Sequence, residues 1–377
     1  MTKQLIMGNE AVVLGAIAAG CDFYAGYPIT PATEIMEEMA KILPGRGGVF
    51  IQMEDELSAI AAVIGAAWGG AVAMTATSGP GFSLMQENIG YAAMTQTPCV
   101  IVDSQRGGPS TGLPTLPSQS DVLQSKFGSH GDRAAIVLTA SSVLGAYTAT
   151  IRAFQLAQRH RMPVILLLDA VVSHMREPVE LPSMPPPTQR NFPTVEPGAD
   201  RFDQAPFVPF GYGPVTTVSG LSHNAKGQTG PFSGAATERM LRAAIERLEQ
   251  DDEITRAPDT YQLDDAEVAL VAYGITARAG IDAVDILRSQ GLRAGMVTLE
   301  VIWPFPTHAI QSIADDVPHV VIAELNLGQL VLPVSAAVAG RAQVHSLTLA
   351  DGSLLTPEAI AEFIMKRTSQ SQEVTHA

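Results

Sequence analysis

The chain has 377 residues, enough for two or three domains, and is 46% hydrophobic but only 16% charged, so core-forming material is plentiful. A net charge of −15 argues against a nucleic-acid or anionic-membrane partner. Two distant cysteines, Cys21 and Cys99, with no CxxC, exclude a disulfide framework and an iron–sulfur cluster held by this chain alone, since such clusters want about four thiolates. The opening MTKQLIMGNE shows no secretory pattern, and no apolar run reaches the ~20 residues of a membrane helix. A cytoplasmic protein with no membrane association is expected.

The first half alternates regularly. NEAVVLGAIAAG (9–20) reads as a helix with Asn9 as N-cap, DFYAGYPI (22–29) as a strand, and TPATEIMEEMAKIL (30–43) as a helix. Strand GVFIQM (48–53) precedes an almost wholly apolar helix over 54–70, then strand AVAMTATS (71–78), helix 81–95 and strand CVIVDSQ (99–105). After a loop come strand 134–140, helix 142–160 and strand PVILLLDAVV (163–172). Apolar strands alternating with helices predict a parallel sheet covered on both faces. From about residue 177 the pattern breaks into Pro- and Gly-rich sequence with one amphipathic helix, 235–250. So long an irregular stretch marks a boundary. A second α/β unit follows: strand 267–274, helix 276–290 with Gly291 as its stop, strand 293–300, a WPFP turn, helix 307–315 and strand 319–325. The predicted division is 1–178, a connection over 179–262, and 263–377.

Three places concentrate chemistry. In GYPITPATEI, Thr30 would cap its helix with Pro31 at N1, where proline is tolerated. The same hydroxyl, at a helix start on the carboxyl end of a parallel strand, could instead donate to a substrate carboxylate or carbonyl. Glu56 heads the apolar helix, in line with Ala59, Ala62 and Gly65, a small-residue face suited to close packing against another body. It is either an ordinary first-turn acid or a buried carboxylate of raised pKa, held for a ring nitrogen. In DSQRGGPSTGLPTLPSQSD (103–121), Arg106 is the sole cation, at a strand's carboxyl end. It is a surface arginine or a fork for a carboxylate. His130, in FGSHGD, is a lone loop histidine, a type more often solvated than catalytic. TSGPG (77–81) is a strand-to-helix turn compatible with close backbone approach to a ligand. Neither a Walker phosphate loop nor a Rossmann fingerprint is present.

In their order and spacing, GYPITPATEI, the helix from Glu56, TATSGPGFSLM, RGGPSTGLPTLPSQSD and SHGD resemble the alpha subunit of the 2-oxoacid:ferredoxin oxidoreductases. The RGGPSTGLPT form is most similar to the 2-oxoglutarate branch. Ser120 stands where relatives commonly have glycine. The resemblance implies a thiamine-diphosphate-binding, pyrimidine-type parallel-sheet domain and a transketolase C-terminal-like α/β domain. It implies Glu56 as the catalytic and cofactor glutamate at the pyrimidine N1′, where it promotes general base chemistry. Pro28 and Ile29 would line the cofactor, and Thr30 and Arg106 would bind the 2-oxoacid. No GDG…N metal motif is present. Magnesium and [4Fe-4S] clusters are therefore expected on partner chains: a beta subunit with the diphosphate-binding domain and a cluster, with gamma and delta subunits as further candidates. Coenzyme A and ferredoxin complete the implied reaction. The rivals are the same chemistry on branched-chain or other 2-oxoacids, a non-redox thiamine-dependent transferase, and a non-catalytic α/β scaffold. For 2-oxoglutarate a second cation is needed, and Lys126, His130 and Arg133 are near in sequence.

Overall fold

The computed structural model describes residues 3–181, 192, 207–213, 217–224, 226, 228 and 234–375, with side chains to residue 369. Most of the Pro- and Gly-rich connection falls outside them. The chain runs β1 (Gln4–Met7), α1 (Gly8–Ala18), β2 (Phe23–Gly26), α2 (Thr33–Ile42), β3 (Val49–Gln52), α3 (Glu56–Trp68), β4 (Ala73–Thr77), α4 (Pro80–Met94) and β5 (Cys99–Gly107). It continues through β6 (Leu113–Pro117), α5 (Val122–Phe127), β7 (Ile136–Thr139), α6 (Val143–His160), β8 (Pro163–Asp169), α7 (Ala170–His174) and β9 (Arg176–Val179). Then come α8 (Gly234–Glu249), α9 (Asp252–Thr255), β10 (Asp259–Tyr261), β11 (Val268–Ala272), α10 (Gly274–Ser289), β12 (Ala294–Thr298) and β13 (Val301–Trp303). The chain closes with α11 (Thr307–Asp316), β14 (His319–Glu324), α12 (Val331–Val338), β15 (Gln343–Thr348) and α13 (Pro357–Thr375).

The larger sheet runs β13-β7-β8-β5-β4-β2-β3. Its pairs are parallel except for β13, which lies antiparallel on β7. β6 folds back antiparallel on the end of β5. The smaller sheet runs β10-β12-β11-β14-β15, parallel except at β10. β1 and β9 form a separate two-stranded ribbon.

Strand periodicity distributes the core. Val100, Val102, Leu166 and Leu168 face α1, α2 and α6, whereas Cys99, Ile101, Ile165 and Leu167 face α3 and α4. That second cluster continues without a break into the second unit, through Val271, Tyr273, Val297 and Ile302. Val268, Leu270 and Ala272 turn the other way, towards α10 and α13. Among the described residues, no helix is long and apolar enough to cross a membrane.

Four local expectations give way. Asn9 does not cap α1: it lies fully buried in the first turn, and its Nδ2 donates to the Pro31 carbonyl (2.8 Å) and Glu34 Oε2 (3.0 Å). Two distant acceptors outweigh one local amide. Thr30 does not cap α2, which starts at Thr33 with Ala32 as N-cap. The Thr30–Pro31 peptide is cis, and the Ala32 amide donates to the Ile29 carbonyl (2.8 Å) in a preceding turn. The strand read to 172 stops at Asp169, whose Oδ1 accepts from the Val172 amide (2.9 Å) and starts α7. Trp303, read as opening the WPFP turn, instead closes β13, because Val301, Ile302 and Trp303 are apolar enough to be buried as an edge strand.

Candidate active site

The carboxyl edge of the larger sheet gathers the motifs. Asp55 caps α3, its Oδ1 accepting from the Ser58 amide (2.7 Å), which places Glu56 in the first turn. Glu56 is only 5% exposed. Burial pushes its carboxyl up, with help from Asp55, while the helix amides and the Arg106 charge pull the other way. The turn after β4 wraps this carboxyl. A Cβ on Gly81 would lie 2.4 Å from Glu56 Oε1 and 2.2 Å from Thr77 Oγ1, so glycine is required there. The Thr77 and Ser78 hydroxyls are buried without a hydrogen-bond partner among the described residues.

Arg106 ends β5 on the other side of that turn. It is 7% exposed, and one guanidinium nitrogen donates to the Thr30 carbonyl (2.7 Å) while Nε has no partner among the described residues. Burial lowers its pKa, which Asp103 and Glu56 oppose. Thr30 is exposed at the mouth, with Pro28 and Ile29 half-buried beside it. The structure thus brings Glu56, Thr30, Arg106, Pro28 and Ile29 to one edge.

Reading single motifs missed a buried acid pair beneath this edge. Asp103, in β5, and Asp121, at the head of α5, are both buried, and burial plus the neighbouring acid keeps Asp103 strongly inclined to hold its proton. Asp121 is shifted upward by burial as well. The signal available was that the quoted loop begins and ends on aspartate.

His130 is not part of this edge. It sits on the loop entering β7, at the opposite end of the parallel strands, largely exposed and 3.6 Å from Glu87. It lines a cavity of about 310 Å³ together with Arg133 and Arg161. Arg133 donates to the Ser125 carbonyl (2.7 Å), and Lys126 lies 4.5 Å from the centre of the Trp303 ring. Of the three candidate second cations, His130 lies away from Arg106's edge, and Arg133 and Lys126 are engaged with Ser125 and the Trp303 ring.

The donor set fits the pyrimidine half of thiamine diphosphate: a buried carboxylate, two idle hydroxyls and a backbone turn held open by glycine. Among the described residues, no group of three or more His, Cys, Asp or Glu could hold a metal ion.

Comparison with known proteins agrees in kind. A family model described as pyruvate flavodoxin/ferredoxin oxidoreductase, thiamine diphosphate-binding, matches residues 14–229. The core domain II of pyruvate:ferredoxin oxidoreductase matches residues 266–360. The chain belongs to the 2-oxoacid:ferredoxin oxidoreductase family.

Within that family, the 2-oxoglutarate synthase subunit KorA of Methanothermobacter marburgensis is 46% identical over 97% of this chain and 99% of that protein. The ketoisovalerate oxidoreductase subunit VorB of Methanothermobacter thermautotrophicus is 34% identical over 99% of this chain and 100% of that protein. Among solved structures, the 2-oxoglutarate:ferredoxin oxidoreductase of Magnetococcus marinus superposes with a TM-score of 0.87 at 32% identity over 97% of this chain. This chain spans 65% of the length of that one. A split-gene transketolase, 14% identical with a TM-score of 0.57, shares the fold alone. As a family member the chain is an oxidoreductase component acting on 2-oxoacids, built on a thiamine-diphosphate-binding fold. That sets aside the scaffold and the non-redox transferase.

Proposed function

We propose that this chain is the alpha subunit of a CoA-dependent 2-oxoglutarate:ferredoxin oxidoreductase, interconverting 2-oxoglutarate and succinyl-CoA. The observation that carries the site assignment is a buried carboxylate of raised pKa on the same strand edge as a buried, half-idle arginine. The choice of 2-oxoglutarate rests on full-length identity of 42–46% to four 2-oxoglutarate synthase subunits, against 34–36% to two ketoisovalerate subunits.

Thiamine diphosphate, when bound, supplies the electron sink that a 2-oxoacid needs to lose its carboxyl group. Glu56 would then hold the pyrimidine ring nitrogen through a hydrogen bond, and burial, by favouring the protonated carboxyl, would help it share that proton. Gly81 and the Thr77 side chain keep the carboxyl in place and dry. Arg106 takes the carboxylate next to the keto group, in a geometry restrained by the Thr30 carbonyl, and the Thr30 hydroxyl faces the keto oxygen. Pro28 and Ile29 form the apolar wall.

The chain is one subunit of a larger oxidoreductase, as its relatives' names as subunits imply. In our reading the partner is a beta subunit bearing the diphosphate-binding domain, magnesium and a [4Fe-4S] cluster, which passes electrons to ferredoxin. Exposed apolar side chains on α3 and α4, Leu57 and Leu84 (44% each), and the open space over Gly65 suit such a partner. We place the assembly in the cytoplasm, consistent with two buried cysteines that form no disulfide. The division at 1–178, 179–262 and 263–377 is kept as part of this proposal. The test is CoA-dependent viologen reduction by the assembled enzyme with 2-oxoglutarate, 3-methyl-2-oxobutanoate and pyruvate. A preference for the branched acid ends the 2-oxoglutarate assignment.

A further inference from the structure

The loop that follows Arg106 is anchored by the second unit, through one buried residue. Gln119 is fully buried, and all four of its polar groups are engaged from across the interface. Its amide donates to the Leu325 carbonyl (2.9 Å), and its carbonyl accepts from Asn326 Nδ2 (2.7 Å). Its Oε1 accepts from Thr276 Oγ1 (3.1 Å) and the Leu325 amide (3.2 Å). Its Nε2 donates to the Tyr273 carbonyl (3.0 Å), with Asp169 Oδ2 further off at 3.4 Å. The approach is close enough that a Cβ on Gly274 would lie 2.3 Å from Asp169 Oδ2 and 2.8 Å from Gln119 Nε2.

The Tyr273 hydroxyl joins this anchor to the substrate strand. It lies 3.3 Å from both side-chain atoms of Gln105 and 3.3 Å from the Gln119 carbonyl. One assignment leaves no group idle. Gln105 Nε2 donates to the hydroxyl, the hydroxyl donates to the Gln119 carbonyl, and Gln105 Oε1 accepts from the Asp121 amide (3.2 Å). Arg106 is therefore held from two directions. Gln105 precedes it on β5, and opposite it on β6 stands Pro117, two residues before Gln119. Such a fully satisfied buried network fixes a geometry better than apolar packing of the same area would.

We propose that Tyr273, with Thr276 and Asn326, is a positioning residue for Arg106, so that the second unit sets the affinity of the enzyme for its 2-oxoacid. This rests on the reading of Arg106 as the carboxylate-binding group. Tyr273 touches neither substrate nor cofactor in this proposal; it acts through Gln105 and Gln119.

The test uses the assembled enzyme. Tyr273→Phe keeps the ring and removes the hydroxyl, and Thr276→Val removes a second contact isosterically, so one covers for the other should either fold poorly. Each is expected to raise the KM for 2-oxoglutarate about fivefold, as befits one buried neutral hydrogen bond, with kcat and the KM for CoA within about twofold. On an Arg106→Ala background the same change should add less than about twofold, because both act on one contact. Amide hydrogen exchange across residues 104–121 should quicken in Tyr273→Phe. A full fivefold effect on both backgrounds, a loss confined to kcat, or unchanged exchange would overturn the proposal. An Arg106→Ala enzyme with an unaltered KM would instead overturn the reading of Arg106, separately from the role of Tyr273.

Discussion

The cluster at the carboxyl edge of the larger sheet and the His130–Glu87 pair at its amino edge use similar residue types and treat them oppositely. At the carboxyl edge, Glu56, Arg106, Asp103 and Asp121 are all buried, and each titration is displaced by desolvation. At the amino edge, the His130–Glu87 pair is exposed, with side chains 88% and 74% accessible. Exposed pairs of this kind contribute little, since water screens them. The lesson is geometric. In a parallel sheet the helix starts and strand-end loops converge at the carboxyl edge, so several loops there can enclose a group of charges together and remove water from it. The amino edge receives helix ends and short returns, and there the His130–Glu87 pair stays wet, although burial still lowers the Arg133 pKa to about 10 and encloses Arg161.

Four substitutions in the assembled enzyme press on that contrast. Glu56→Gln should lower kcat by at least ~100-fold, the scale of lost acid–base catalysis, with thiamine diphosphate supplied in excess and assembly intact. Retention of more than a third of the activity would break the comparison outright. Arg106→Ala should raise the KM for the 2-oxoacid roughly 10- to 100-fold, as for a charge-assisted hydrogen bond, and change kcat less. The readout is steady-state kinetics with 2-oxoglutarate.

The acid pair makes a pH prediction. Asp103 and Asp121 hold protons in the folded chain that they release in the unfolded one. Their contribution to stability is thus complete below the ordinary carboxylate pKa of about 4 and declines as pH rises through the raised folded values. Asp121→Asn removes one titration and the repulsion that raises the other. Its thermal midpoint relative to wild type should therefore climb as pH rises from about 4 through about 6, by about one to two degrees for ~1 kcal/mol in a chain of this size. A difference that stays level or falls with pH would remove the pair from this account. The smallest effect belongs to His130→Ala, which should leave kcat/KM within about twofold, as expected for a surface change away from buried networks. A tenfold loss would place function at the amino edge and undo the contrast.

Much of this arrangement was legible in the amino-acid order. Glu56 at the head of an apolar helix and Arg106 closing a strand could be picked out because chain order and period-two apolar runs already place them at strand ends. Two of the misreadings share one cause. Asn9 and Thr30 carry strong local cap chemistry, and in both cases a partner distant in sequence engages the segment: Pro31 and Glu34 for Asn9, and Arg106 for Thr30, which also lies in a local turn. β13 was invisible for a related reason, since a three-residue strand acquires meaning only from Leu138 and Val137 across from it.

Local pattern by itself determined the alternation of strands and helices, the motif order and the residue types of the site, because these depend on spacing of a few residues along the chain. Tertiary structure alone decided which charges lost their water, that Asp103 meets Asp121, and that Tyr273 reaches Gln119 from 154 positions away. Desolvation and long-range hydrogen bonding depend on what packs nearby in space, and no short window of sequence contains that information.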